Sequence, residues 1–170
     1  MDVDGAEVGE DLAVMATLIG DFWVRNLRRN WASFDGDLTM AYILAEIAVY
    51  NVSSLHAAPA NCRLLSQQLL DGTHHLLLKS CNAFSIAEAT GLPRETVRRK
   101  FLRLEELGWI IRAPEGGFVV SARCLDHTWQ QIYPQAFFEL RETFDRLRLH
   151  LPDKWFAAGP AIGRSVGDSE

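Results

Sequence analysis

From Arg94 to Arg112 the chain holds six basic residues and three acidic ones, within a protein whose net charge is -5. Val97, Phe101 and Leu104 recur at helical spacing and so share a face, which leaves Glu95, Thr96, Arg99 and Arg103 opposite, flanked by Arg94 and Arg98. A guanidinium is planar and permanently charged. It pairs with phosphate oxygens and presents two parallel N–H donors to an acceptor pair such as a guanine edge. Four arginines on one helix face and its flank therefore point to a polyanion with readable base edges. The acids are concentrated elsewhere, six of them between Asp2 and Asp21 with no base among them, so the overall negative charge does not cancel the local footprint.

Other reactive groups do not assemble into a site by spacing. His74 and His75 are adjacent, and adjacent helical residues point about 100° apart, so they make a poor metal pair even with His56, His127 and His150 counted as partners. Cys62, Cys81 and Cys124 form no CxxC pair and are odd in number, which argues against a disulfide framework or a thiolate zinc site and for free buried thiols. There is no G-x-S-x-G, Walker glycine loop, HExxH or recognisable cysteine–histidine spacing. No enzymatic activity, metal or cofactor is expected. Glu46, the one charge in an apolar helix, is expected to reach the surface or cap a neighbour. Trp23, Trp31, Tyr42, Trp129 and Tyr133 are expected in the core rather than lining an effector pocket.

The arginine face needs a scaffold, and local signals supply one. Ser85-Ile86-Ala87-Glu88 has the capping-box pattern, so a short helix is expected to open at Ser85, with Ile86 and Ala89 inward. Thr90-Gly91 ends it, Leu92 pins the turn, and Pro93 opens the next helix. That helix stops at Leu107-Gly108. Trp109 to Arg112 reads as a strand, Pro114 to Gly117 as a turn, and Phe118 to Val120 as the returning strand.

The run Ser85-Ile86-Ala87-Glu88-Ala89-Thr90-Gly91-Leu92-Pro93-Arg94-Glu95-Thr96-Val97-Arg98-Arg99, followed by Leu104-Glu105-Glu106-Leu107-Gly108, resembles winged-helix transcription regulators of the GntR and MarR type. That resemblance implies a second helix in the DNA major groove, a wing on the backbone or minor groove, and a homodimer on a palindromic site. It also implies DNA contacts at Arg94, Thr96 and Arg98. Arg99 and Arg103 rest on the helix-face argument, and Ser85, Glu95 and Arg112 complete the candidate DNA-binding set. Two departures stand out. Pro93 replaces a serine common in the GntR pattern, and no large effector domain follows the wing, so the helical flanks are closer to the MarR arrangement.

The remaining chain should build those flanks. Residues 1–10 read as a flexible arm and 11–82 as an N-terminal helical region. In that region one helix runs from Asp11 to about Arg29, and another opens at Asp37, is apolar nearly all round and extends to about Leu55. A third starts near Asn61 after the Pro59 break and carries Leu64, Leu65, Leu69 and Leu70 to Asp71-Gly72. Leu76 to Lys79 is read as helix. Residues 83–121 form the winged segment and 122–158 a C-terminal helical region. There Pro134 sits in the first turn of a helix with a seam of Phe137, Leu140, Phe144, Leu147 and Leu151, and residues 159–170 read as a disordered tail. The expected fold is mainly α: a winged helix-turn-helix with N-terminal and C-terminal helical extensions and a two-stranded wing. Charges interrupt every apolar run and the acidic start lacks a signal peptide's basic region, so a cytoplasmic protein with no membrane contact is expected.

The expected function is a sequence-specific, DNA-binding transcription regulator. It would act as a homodimer joined through the helix from Asp37 and the Phe137–Leu151 seam, with double-stranded DNA as partner, helix 94–107 in the groove and wing 109–120. Alternatives are a winged-helix protein-interaction module without DNA binding, and a one-component sensor responding to an unidentified small-molecule effector.

Overall fold

A computed structural model describes residues 5–55, 63–65, 67–68 and 73–157. Among these the chain is mainly helical with one two-stranded antiparallel sheet. The described parts of Met1–Asn26 and Ala136–Glu170 form one compact unit, and Leu27–Gln135 forms the other. The Pro59 break, Asn61, Leu69, Leu70, Asp71-Gly72, His56, Cys62 and the 159–170 tail lie outside the described residues, as does the side chain of Trp129.

The first helix, α1, runs Gly5–Ser33, so residues 5–10 are helical rather than an arm. No proline interrupts Ala6 to Asp11, and acidic side chains suit the first turns of a helix. A turn through Asp35 and Gly36, both at positive φ, leads to α2, Leu38–Val52. Asp37 caps α2 as its sequence predicts, accepting from the Met40 amide at 2.9 Å.

The second unit is built around α2. Ile43 and Ile47 are fully buried, each contributing about 1.5–3 kcal/mol of burial energy. Helix α3 is Ala83–Thr90, α4 is Arg94–Glu106, and strands β1, Ile110–Arg112, and β2, Phe118–Val120, follow. Helix α2 packs on α3, α4 and β2, and Ile86, Val97, Leu104, Ile110, Val119 and Val120 close the core around it. Most of the apolar helix therefore finds its cover within its own unit, while Tyr42 and Val49 stay exposed.

Helix α3 opens three residues earlier than expected. Asn82, not Ser85, is its N-cap: the Asn82 Oδ1 accepts from the Phe84 and Ser85 amides at 2.9 and 3.0 Å, while Ser85 Oγ accepts from the Asn82 amide at 3.3 Å. Two overlapping capping patterns compete in the sequence, and the one that satisfies more orphan amides wins. Ile86 and Ala87 face inward. Ala89, about 200° round the helix from Ala87, is exposed instead of buried.

Leu76 to Lys79 is not α-helical: a 3-10 turn, His74–Leu76, is followed by a turn at Leu77 and a bend at Leu78, and Asn51 of α2 takes both backbone hydrogen-bonding groups of Lys79. The Lys79 amide donates to the Asn51 carbonyl, and Cys81 bridges Phe118 with bonds of 3.0 and 2.7 Å in both directions. The Asn51 side chain fastens this junction. Its Nδ2 donates to the Lys79 carbonyl at 2.7 Å and its Oδ1 accepts from the Val120 amide at 2.8 Å.

His74 packs into the same core. Burial, and then the neighbouring His75, lower its pKa below the ordinary 6.5, with the Val120 backbone opposing. A histidine with a depressed folded-state pKa contributes stability above the unfolded pKa, and that contribution is lost as pH falls below it. The urea midpoint should therefore drop between about pH 7 and pH 5, and His74→Phe should reduce that drop. An identical pH response in both proteins would contradict this.

Past β2, Ser121 donates to the Gly108 carbonyl at 2.7 Å and accepts from the Cys124 amide at 3.1 Å. It thereby opens a short helix, α5, Ala122–His127, at the start of the region read as C-terminal helical. A π-helical turn, Thr128–Ile132, leads into α6, Tyr133–His150, with Pro134 in its first turn. In the first unit, Asp11 of α1 accepts from Trp155 Nε1 at 2.7 Å and from Lys154 at 3.2 Å. Leu151 of the expected seam is buried and Leu147 half-buried, but Phe137, Leu140 and Phe144 are exposed.

Candidate nucleic-acid interface

Helix α4 owes its position to the turn before it. Gly91, at φ 68, takes the left-handed conformation that reverses the chain, and the Leu92 amide donates to Thr90 Oγ1 at 3.3 Å. Leu92 packs against the core. Pro93 then occupies the N-cap of α4 without a side-chain cap, its carbonyl accepting from the Val97 amide at 3.1 Å. Gly108, at φ 71, ends the helix, and β1 pairs with β2 in the register Ile110↔Val120 and Arg112↔Phe118.

With Val97, Phe101 and Leu104 buried, the outer side of α4 carries Glu95, Arg99, Leu102, Arg103 and Glu106. Arg94 and Arg98 lie at its margin and are exposed, as expected, while Thr96 is half-buried. The arginines are not equally free. Arg98 bonds Glu95 through two nitrogens, at 2.9 and 2.8 Å. Arg103 meets Glu106 at 3.2 Å, and Arg112 reaches back from β1 to Glu105 at 2.9 and 3.3 Å. The Arg98 bond holds the Glu95 carboxyl below the usual carboxylate range and raises Arg98 in turn.

That leaves two cations with different constraints. The Arg94 guanidinium stacks over the exposed Phe84 ring, 4.2 Å from its centroid. The Arg99 side chain has no hydrogen bond or ion pair among the described residues, though its charge adds to the lowering of the Glu95 carboxyl, and it projects from the middle of the outer face. Lys100 turns away to pair with the α2 cap, Asp37. Burial pushes the Asp37 carboxyl up, but Lys100 and the Met40 amide outweigh it and hold it below its ordinary value.

Ser85 is half-buried with its hydroxyl engaged at the α3 cap, where it also donates to the Asn82 carbonyl at 3.0 Å. Phe84 and Arg123 escaped the sequence reading. Arg123 donates to the Leu107 carbonyl at 3.1 Å and lies over Trp109, beside the end of α4. Only the Phe84–Arg94 proximity across the turn could have exposed the first, and nothing local marks the second.

The other candidates stay apart. Among the described residues no group of three His, Cys, Asp or Glu could hold a metal, and no helix is long and apolar enough to cross a membrane. Cys81 and Cys124 are buried free thiols, burial pushing Cys81 up to about 11. Glu46 is half-buried, beside Tyr42. Trp23, Trp31, Tyr42 and Tyr133 are exposed rather than core. None of them lines the open cavity of about 350 Å³ in the first unit, whose walls are Glu10, Ala13, Val14, Thr17, Leu18 and His150. No family model matches the chain, and no curated protein or solved structure matches it.

Proposed function

We propose that the chain is a winged helix-turn-helix, DNA-binding transcription regulator that works as a homodimer in the cytoplasm. Helices α3 and α4 form the helix-turn-helix, α4 through Leu107 enters the major groove, and the β1–β2 hairpin is the wing on the backbone or minor groove. The observation that carries this reading is the outer face of α4, an arginine-bearing surface aimed away from a core that fixes its orientation on three sides. Arg94 and Arg99 are available for first contact, and Arg98, Arg103 and Arg112 lie around them.

Dimerisation draws support from the first unit. Leu12, Ile19, Trp23 and Val24 of α1 are exposed, as are Phe137, Phe138, Leu140, Phe144 and Leu149 of α6. So many large apolar side chains left exposed on two helices of one unit favour an interaction surface there. A two-fold pair would set two reading helices about one DNA turn, roughly 34 Å, apart. Purified protein mixed with fragmented genomic DNA should then enrich fragments that share an inverted repeat. Recovery without any common sequence would defeat sequence-specific regulation.

A second reading, a protein-interaction module of the same fold, is favoured by Leu102, exposed on the α4 face among three carboxylates. It predicts no salt-sensitive binding to any duplex.

A further inference from the structure

Each carboxylate on or beside the α4 face is spent on an arginine that the DNA-binding reading would use. Glu95 holds Arg98, Glu106 holds Arg103 and Glu105 holds Arg112, and in each pair the arginine is more than half exposed. Two pairs sit at i,i+3 on one helix, and the third joins α4 to the hairpin. Exposed pairs of this kind contribute little to folding and are readily exchanged for another anion. Their geometry is nonetheless well made: Glu95 and Glu105 each grip two nitrogens of one guanidinium, as a phosphate would.

Resting on the DNA-binding reading, we infer that Glu95, Glu105 and Glu106 are built-in counterions that set how strongly this surface holds DNA of any sequence. On non-cognate duplex the three pairs stay closed, and Arg94 and Arg99 carry the contact. On a cognate site, correctly placed phosphates and base edges displace the carboxylates, and Arg98, Arg103 and Arg112 join. Because each opening exposes a carboxylate to the phosphate backbone, an opening is favourable only where an arginine gains a close, well-aligned acceptor. The carboxylates thus suppress loose binding more than they suppress cognate binding, which raises the ratio between the two.

Anisotropy titrations across a range of salt concentrations test this, using a labelled random-sequence duplex of about three helical turns. The proteins are wild type, the triple variant Glu95→Gln/Glu105→Gln/Glu106→Gln, and a control of equal charge change that alters no α4 ion pair, Asp35→Asn/Asp126→Asn/Asp153→Asn. The α4 variant should bind the random duplex at least tenfold more tightly at low salt. Its slope of log K against log[salt] should be steeper by about 0.9 for each arginine that takes a phosphate. The control should track wild type. Equal shifts in both triple variants would reduce the effect to net charge and overturn the proposal, as would an unchanged slope in the α4 variant. If neither wild type nor the α4 variant binds duplex at any salt, the DNA-binding reading itself fails and the inference falls with it.

Discussion

Replacing Asn51 with alanine should destabilise the Leu27–Gln135 unit by about 3 kcal/mol or more, read as a lower urea midpoint with an unchanged slope. Asn51 is fully buried, and its side chain ties α2 to two other backbone segments at once. Truncation strands the Val120 amide, itself fully buried, and the Lys79 carbonyl, each worth about 1–3 kcal/mol when left unpaired. It also opens a cavity beside Cys81 and Phe118. Asn51→Asp should be worse near neutral pH, because a carboxylate would face the Lys79 and Phe118 carbonyls with no proton to donate. Acidification should partly relieve that variant alone. A loss under about 1 kcal/mol for Asn51→Ala would show that the junction is held some other way.

Gly117→Ala should cost about 2–4 kcal/mol, the second large effect. Gly117 sits at φ 81, in the region that side chains rarely adopt, and a Cβ there would lie 2.7 Å from the Cys81 carbonyl oxygen. The clash is with backbone, so it cannot be relieved by a rotamer change. Either the hairpin turn or the Cys81–Phe118 bridge must move, and both hold the β1–β2 hairpin beside α4. Gly116→Ala is the control: it too has positive φ, at 98, but nothing lies within reach of its Cβ. It should lose only the conformational part, about 1–2 kcal/mol. Equal losses in the two variants would remove the close approach from the account.

Asn51 and Gly117 mark where sequence reading stops. Gly91, Gly108, Asp37 and the Val97–Phe101–Leu104 spacing were legible because each signal acts within one or two helical turns of itself. The hairpin was legible for the same reason, from bulky β-formers on either side of Pro114 to Gly117. Asn51 instead reaches Lys79 and Val120, 28 and 69 residues away, and a lone asparagine in an apolar helix carries no mark of what it will bond. The Leu76 to Lys79 run went wrong for the mirror-image reason: its own composition allows a helix, and distant backbone overrides it. At the candidate interface, the exposed arginines followed from periodicity. Their carboxylate partners are near in sequence for Arg98 and Arg103, but Arg112 finds Glu105 only because the hairpin folds back on α4. The exposure of Trp23, Trp31, Tyr42 and Tyr133 departs from an argument that places them in the core because aromatics in helical proteins are more often there.

If the outer face of α4 binds duplex DNA, the salt dependence of that binding should differ between wild type and Arg94→Ala/Arg99→Ala, and no other measurement bears on the proposed function so directly. Wild type should bind a duplex recovered by genomic selection, with log K falling linearly against log[salt]. The double variant should bind more weakly and should unfold at the wild-type urea midpoint. Its slope should be shallower by about 0.9 for each phosphate that an arginine no longer neutralises. Unchanged affinity and slope in a folded variant would contradict the assignment of this face to DNA.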